Sequence, residues 1–122
     1  MVRLQQGVDA MGNMIISAIP QSDTIYTAVM VASTAQYITP PAGANFVLFQ
    51  ATTGLDFWAL LYPTTTSSGL TIPATVTELA DAYTIPELNP LIRALSGPGY
   101  MSAKTIGLIA LSTPTICMAF YS

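Results

Sequence analysis

The clearest alternation of apolar and polar positions lies near the C-terminus. Within 105–111, Ile106, Leu108 and Ala110 fall on one face of a strand, and Gly107, Ile109 and Leu111 on the other. Within 115–121, Ile116, Met118 and Phe120 share a face, opposite Thr115, Cys117, Ala119 and Tyr121. Both faces of both segments are largely apolar, as in strands covered on both sides. A neighbouring subunit is the expected second cover. Upstream, 23–33 is rich in Thr, Ile, Tyr and Val, which suit a pleated sheet. Shorter strands are predicted at 36–39, 44–51 and 55–62. The Thr52-Thr53-Gly54 break predicts a hairpin between the last two, and Pro114 predicts a second between 105–111 and 115–121.

Turn signals cut the remaining chain into short pieces. They fall at Pro40-Pro41-Ala42-Gly43, Ser67-Ser68-Gly69, Gly97-Pro98-Gly99 and Ser112-Thr113-Pro114. Short apolar pieces at such spacing predict an all-β domain, an antiparallel sandwich or barrel. Its expected core is Phe46, Leu48, Phe57 or Trp58, Ile106, Leu108, Met118 and Phe120. The segment 63–103 reads as a long excursion with one edge strand and a short helical turn at 77–82. Prolines 86, 90 and 98 forbid a long helix after that turn. Residues 1–22 read either as a first strand behind a loose terminus or as an arm lying on another subunit. In the second case Met11, Met14, Ile15 and Ile16 are the interface residues. The remaining 23–122 form a single β-sandwich domain.

Composition sharpens this picture. Of 122 residues, 52% are apolar and only 7% charged, against about 25% charged in an average soluble domain. That balance excludes intrinsic disorder. It also disfavours a free monomer that depends on a charged coat. The net charge is −3 with three cations, Arg3, Arg93 and Lys104. Cations that few and that scattered cannot neutralise a row of phosphates, so no nucleic-acid partner is expected. The uncharged stretch 105–122 reaches the lower length limit of a membrane helix. Ser112-Thr113-Pro114-Thr115 interrupts it, which predicts two strands and no membrane partner. The opening 1–7 has one cation and no continuous apolar run behind it, unlike a secretory signal.

Candidate chemistry is sparse. There is no histidine and one cysteine, which removes most nucleophilic and metal-binding constellations. Cys117 lies in an apolar stretch and reads as a buried, inert thiol. Glu78 and Asp81 would neighbour each other on a helical turn, and with Glu87 could offer oxygen ligands, but a solvated turn is the simpler reading. Asp56 and Trp58 share a strand face. They read either as a sugar platform, with ring stacking beside a carboxylate, or as a core Trp with an acid at the turn. No catalytic residue, cofactor or metal site is expected.

Several short segments resemble small virion structural proteins of tailed bacteriophages. They are Ile38-Thr39-Pro40-Pro41-Ala42-Gly43-Ala44-Asn45-Phe46-Val47-Leu48-Phe49, Leu55-Asp56-Phe57-Trp58, Glu87-Leu88-Asn89-Pro90-Leu91-Ile92-Arg93, and the closing Ile106-Gly107-Leu108-Ile109-Ala110-Leu111 with Met118-Ala119-Phe120-Tyr121. The resemblance covers 38–121 and implies a β-sandwich, often jelly-roll-like, in a virion. It implies no enzyme. The expected role is a capsid decoration or cement protein, a homo-oligomer and most simply a trimer, bound to the major capsid protein or other virion proteins. A head–tail or tail component, and a carbohydrate-binding or receptor-binding module, are the alternatives. A membrane-associated protein using 105–122 is a further one.

Overall fold

The computed structural model describes residues 1–4, 6–8, 11, 14–16, 19–73, 85–97 and 102–122, with 6–8 and 14–16 described as strand backbone only. The described secondary structure is entirely β. A short ribbon, β1 (Gln6–Val8) with β2 (Met14–Ile16), forms a two-stranded sheet of its own. Eight further strands follow: β3 (Thr24–Val29), β4 (Gln36–Ile38), β5 (Phe46–Ala51), β6 (Trp58–Tyr62), β7 (Glu87–Leu88), β8 (Ile92–Ala94), β9 (Thr105–Ile109) and β10 (Thr115–Tyr121). They form two antiparallel four-stranded sheets, β3-β10-β5-β8 and β4-β9-β6-β7. Every connection except β6 to β7 passes from one sheet to the other. This is the connectivity of a jelly roll, two interlocked Greek keys in a double sheet.

That connectivity overturns both predicted hairpins. Strands β5 and β6 lie in different sheets, as do β9 and β10. The turn at 52–55, with Leu55 N–H donating to Thr52 O at 3.2 Å and Gly54 at φ +82°, reverses the chain. Phe57 then enters the core, tilted on Phe49 at 5.9 Å between ring centroids. Burying that ring between the layers carries the following strand to the opposite sheet. At the C-terminal crossing, Pro114 is buried and its carbonyl accepts from Met30 N–H at 2.9 Å, which ties the turn to the end of β3.

The core lies between the sheets. Ile106 and Leu108 from β9 pack with Ile116, Met118 and Phe120 from β10, together with Met30, Val47, Phe49, Phe57, Ala59 and Leu95. Phe57, not Trp58, is the buried ring of its pair. On β5 the expected face is reversed. Val47 and Phe49 are buried, while Phe46 and Leu48 point outward, because Val47 pairs with Phe120 and Phe49 with Met118. A strand with apolar residues on both faces leaves the choice to its neighbours' register. The excursion 63–103 contributes two short edge strands, β7 and β8, one to each sheet. The helical turn expected at 77–82 lies outside the described residues.

The chain reaches β3 through a fastened N-terminal segment. Leu4 N–H donates to Ser122 O at 3.0 Å, and Ser122 N–H to Val2 O at 2.9 Å. Tyr121 Oη donates to Pro20 O at 2.7 Å. The Asp23 carboxylate accepts from Thr24 Oγ1 at 3.0 Å and Val2 N–H at 3.1 Å. Those two bonds, the Thr24 hydroxyl foremost, hold its pKa below the ordinary carboxylate value.

Truncation of Phe120 to Ala is expected to cost about 3–5 kcal/mol, as for other buried aromatics, and to lower the thermal midpoint markedly. The Asp23 contacts favour the charged carboxylate. Their contribution is present above the unfolded-state pKa and is lost as pH falls through the depressed folded value. The protection factor of the Val2 amide, the intrinsic exchange rate over the observed rate at the same pH, is expected to fall across that acid window and to stay constant there in Asp23→Asn.

Candidate interaction surface

Strand pairing fixes which side chains share the outward face of the β3-β10-β5-β8 sheet. One row crosses all four strands: Ile25, Ala119, Leu48 and Ile92. Beside it run Tyr121, Phe46 and Ala94 on one side, and Thr27, Cys117 and Gln50 on the other. Val29 next to Thr115 completes the face. None of these residues carries a charge. Ile25 is 52% exposed and Val29 66%, while Leu48, Ile92, Phe46 and Ala119 are half-buried. Arg93 has the opposite parity, paired with Val47, and is drawn to the edge by Glu87. Its Nε donates to Glu87 Oε2 at 2.7 Å and its Nη2 to Oε1 at 3.2 Å. At such exposed positions the ion pair contributes about 0–1 kcal/mol.

On the other sheet the outward side of the central strand, β9, is covered by its own chain. The loop after β6 folds back over β9. Thr105 Oγ1 donates to Thr64 O at 2.9 Å and accepts from Thr66 N–H at 3.1 Å. Leu70 N–H donates to Tyr37 Oη at 2.8 Å, which places the buried Leu70 side chain over Gly107. A Cβ on Gly107 would stand 2.8 Å from Tyr62 Cε2 and 2.9 Å from Leu70 Cδ2. Burial there, with Tyr37 alongside, pushes the Tyr62 phenol pKa up. The expected second cover of β9 is therefore this loop, not a subunit. For β10, no described segment plays that part over Ala119, Leu48 and Ile92.

The sequence-predicted site residues are dispersed. Cys117 belongs to the outward face, half-buried, with its Sγ 3.9 Å from Thr27 Oγ1. It is not the core thiol expected. Asp56 accepts from Asn89 Nδ2 at 2.7 Å, while Phe57 N–H donates to Asn89 Oδ1 at 3.0 Å and Asn89 N–H to Phe57 O at 2.9 Å. Asn89 is held at φ +47°, a left-handed conformation that Asn tolerates. The carboxylate thus helps clip the loop before β6 to the loop after β7. Asp56 lines a shallow cleft of about 320 Å³ with Thr53, Asn89 and Leu91, and Trp58 is not among its lining residues. Trp58 pairs instead with Leu88 and Ile109. Met11 occupies the turn between β1 and β2 and is 86% exposed. Met14, Ile15 and Ile16 form β2, and their side chains lie outside the described residues.

Glu78 and Asp81 likewise lie outside them. Among the described residues no group of three His, Cys, Asp or Glu side chains converges. No helix among them is long and apolar enough to cross a membrane, and 105–122 forms β9 and β10. The row Ile25–Ala119–Leu48–Ile92 was not singled out in the sequence. Its traces were the uncharged run 24–55 and the two-sided apolar pattern of 115–121. Comparison with protein-family models, curated proteins and solved structures finds no match.

Gly107→Ala is expected to destabilise the fold by about 1–3 kcal/mol, because the added methyl overpacks the Tyr62 and Leu70 contact. Thermal unfolding of that variant beside Gly107→Ala/Leu70→Ala checks it. Shortening Leu70 should recover part of the methyl's penalty, measured against Leu70→Ala alone.

Proposed function

We propose that this chain is a structural subunit of a virion, a decoration or cement protein that acts by burying the outward β3-β10-β5-β8 face in an assembly. The observation that carries the proposal is the uncharged row Ile25–Ala119–Leu48–Ile92, exposed at Ile25 and half-buried along the rest, beside a second sheet whose central strand is covered by its own chain. Apolar surface facing water is unfavourable by about 25 cal/mol per Å², so a partner that covers it gains that free energy. Contiguous patches of this kind mark interaction sites. Jelly rolls serve both viral shells and lectins, so the fold alone does not choose between them. The resemblance of 38–121 to tailed-phage virion proteins supports the shell reading, and a head–tail or tail position uses the same surface. Against a sugar platform stands the engagement of Asp56 by Asn89 and the absence of Trp58 from its cleft.

Attachment through such a face depends little on ionic strength, since screening acts on exposed charges and hardly on buried apolar area. The chain is expected in particles purified from the phage that encodes it, detected by mass spectrometry. Co-sedimentation of the purified protein with bare particles should persist at raised salt. Leu48→Glu should reduce it at least about tenfold, since burying an unpaired charge is costly. Its thermal midpoint, measured in parallel, separates lost attachment from lost folding. Undiminished attachment of a folded Leu48→Glu protein, or specific glycan binding that quenches Trp58, would replace this reading.

A further inference from the structure

We infer that the free edge of β3 is a pairing edge for a second copy of this chain, with two β3 strands meeting antiparallel about a twofold axis at Thr27. The inference deepens the assembly reading by naming one partner. The four edge strands of the two larger sheets differ in how they are guarded. Exposed sheet edges are templates for further strands, and proteins guard them with short length, proline and charge. β4 is three residues long and is followed by Pro40-Pro41. β7 is two residues long, flanked by Pro86 and Pro90, and carries Glu87. β8 is three residues long and carries Arg93. β3 has six residues, Thr-Ile-Tyr-Thr-Ala-Val, with no proline and no charge.

The register shows which of its peptide groups are free. Met30 N–H donates to Pro114 O, so Met30 and Pro114 form a bonded pair. Antiparallel bonding alternates by two residues, which directs Ala28 and Tyr26 toward their partners Ile116 and Met118. The N–H and C=O groups of Ile25, Thr27 and Val29 therefore point away from the sheet. Gln36 Nε2 reaches Val29 O from that side at 2.8 Å, leaving the second lone pair of this carbonyl. The strand is self-complementary about its middle. With Thr27 opposite the partner's Thr27, Ile25 lies opposite the partner's Val29, and all three positions bond outward. The two Asp23 carboxylates fall at opposite ends of the pair, so no like charges meet. The join would unite two four-stranded sheets into one of eight and extend the apolar outward face across the axis. A twofold join gives a dimer or a multiple of it, in place of the trimer expected from the resemblance.

Sedimentation velocity on the full chain, with Thr27→Lys and Ile25→Lys, tests the inference. The wild type should be dimeric. Thr27→Lys sets like charges directly opposite across the pair, and Ile25→Lys sets an unpaired charge against the partner's Val29, so each should weaken association by about tenfold or more. Both side chains are exposed, so each variant should keep the wild-type circular dichroism spectrum. Cross-linking supplies a measurement that does not depend on the lysine variants folding. Directly bonded antiparallel residues have Cα atoms about 5.5 Å apart, within disulfide range. Thr27→Cys in a Cys117→Ser background, which removes the adjacent native thiol, should oxidise to a linked dimer. Thr53→Cys in the same background, at an exposed turn, should not. A monomeric wild type overturns the inference, as does an oligomer insensitive to both lysines, or linkage no faster at 27 than at 53. If these outcomes occur while Leu48→Glu still abolishes particle attachment, the edge pairing fails and the shell reading stands.

Discussion

Strands β9 and β10 are apolar on both faces, and the fold follows from placing each at the centre of its own sheet. β9 is buried at every position, and β10 is buried along its inward face. A strand of this kind cannot serve as an edge, because it needs a bonded neighbour on either side and cover above and below. Joined as a hairpin, the two would share one sheet and leave the opposite layer without a centre. Each instead occupies the middle of its own sheet, flanked by β4 and β6 or by β3 and β5. Their inward residues then meet as Ile106 and Leu108 against Ile116, Met118 and Phe120. The flanking strands must be delivered alternately to the two layers, so the chain crosses between them at nearly every turn.

The two outward faces meet the same demand differently. Over β9, the 64–70 loop supplies Leu70 and a set of threonine hydrogen bonds, and Gly107 provides the space. Over β10, the cover among the described residues is limited to the end near Tyr121, where Pro20 and Leu4 approach. Ile25, Thr27 and Val29 remain in solvent. Nine charged side chains in the whole chain, three basic and six acidic, leave little else to keep such a surface soluble. An assembly that covers the open face turns this deficit into binding free energy. This is the physical ground for the proposal that the protein acts as a subunit of an assembly.

Several of the described polar residues have mechanical duties. Asp56 and Asn89 clip the loop before β6 to the loop after β7. Thr105 anchors the covering loop, and Asp23 fastens the N-terminal segment. Gln36 and the Glu87–Arg93 pair bridge the two layers at opposite open sides of the sandwich. With so few polar side chains available, the fold uses them where loops or edges would otherwise separate.

The sequence by itself determined the all-β class, the position of most strands and the membership of the last two in the core. Those properties are local: period-two alternation, β-branched residues and turn chemistry act within a few neighbours. Ile106, Leu108, Met118 and Phe120, expected in the core, are buried. The low charge also marked an open apolar surface without placing it. Only the tertiary structure decided that neighbouring strands part into different sheets, and that Val47 and Phe49 face inward while Phe46 and Leu48 face out. The reason is that β5 is apolar on both faces, so its own pattern cannot orient it. Pairing with Met118 and Phe120, some seventy residues away, fixes its register. The same long-range pairing assembles Ile25, Ala119, Leu48 and Ile92 into one row, which no local stretch of the chain contains.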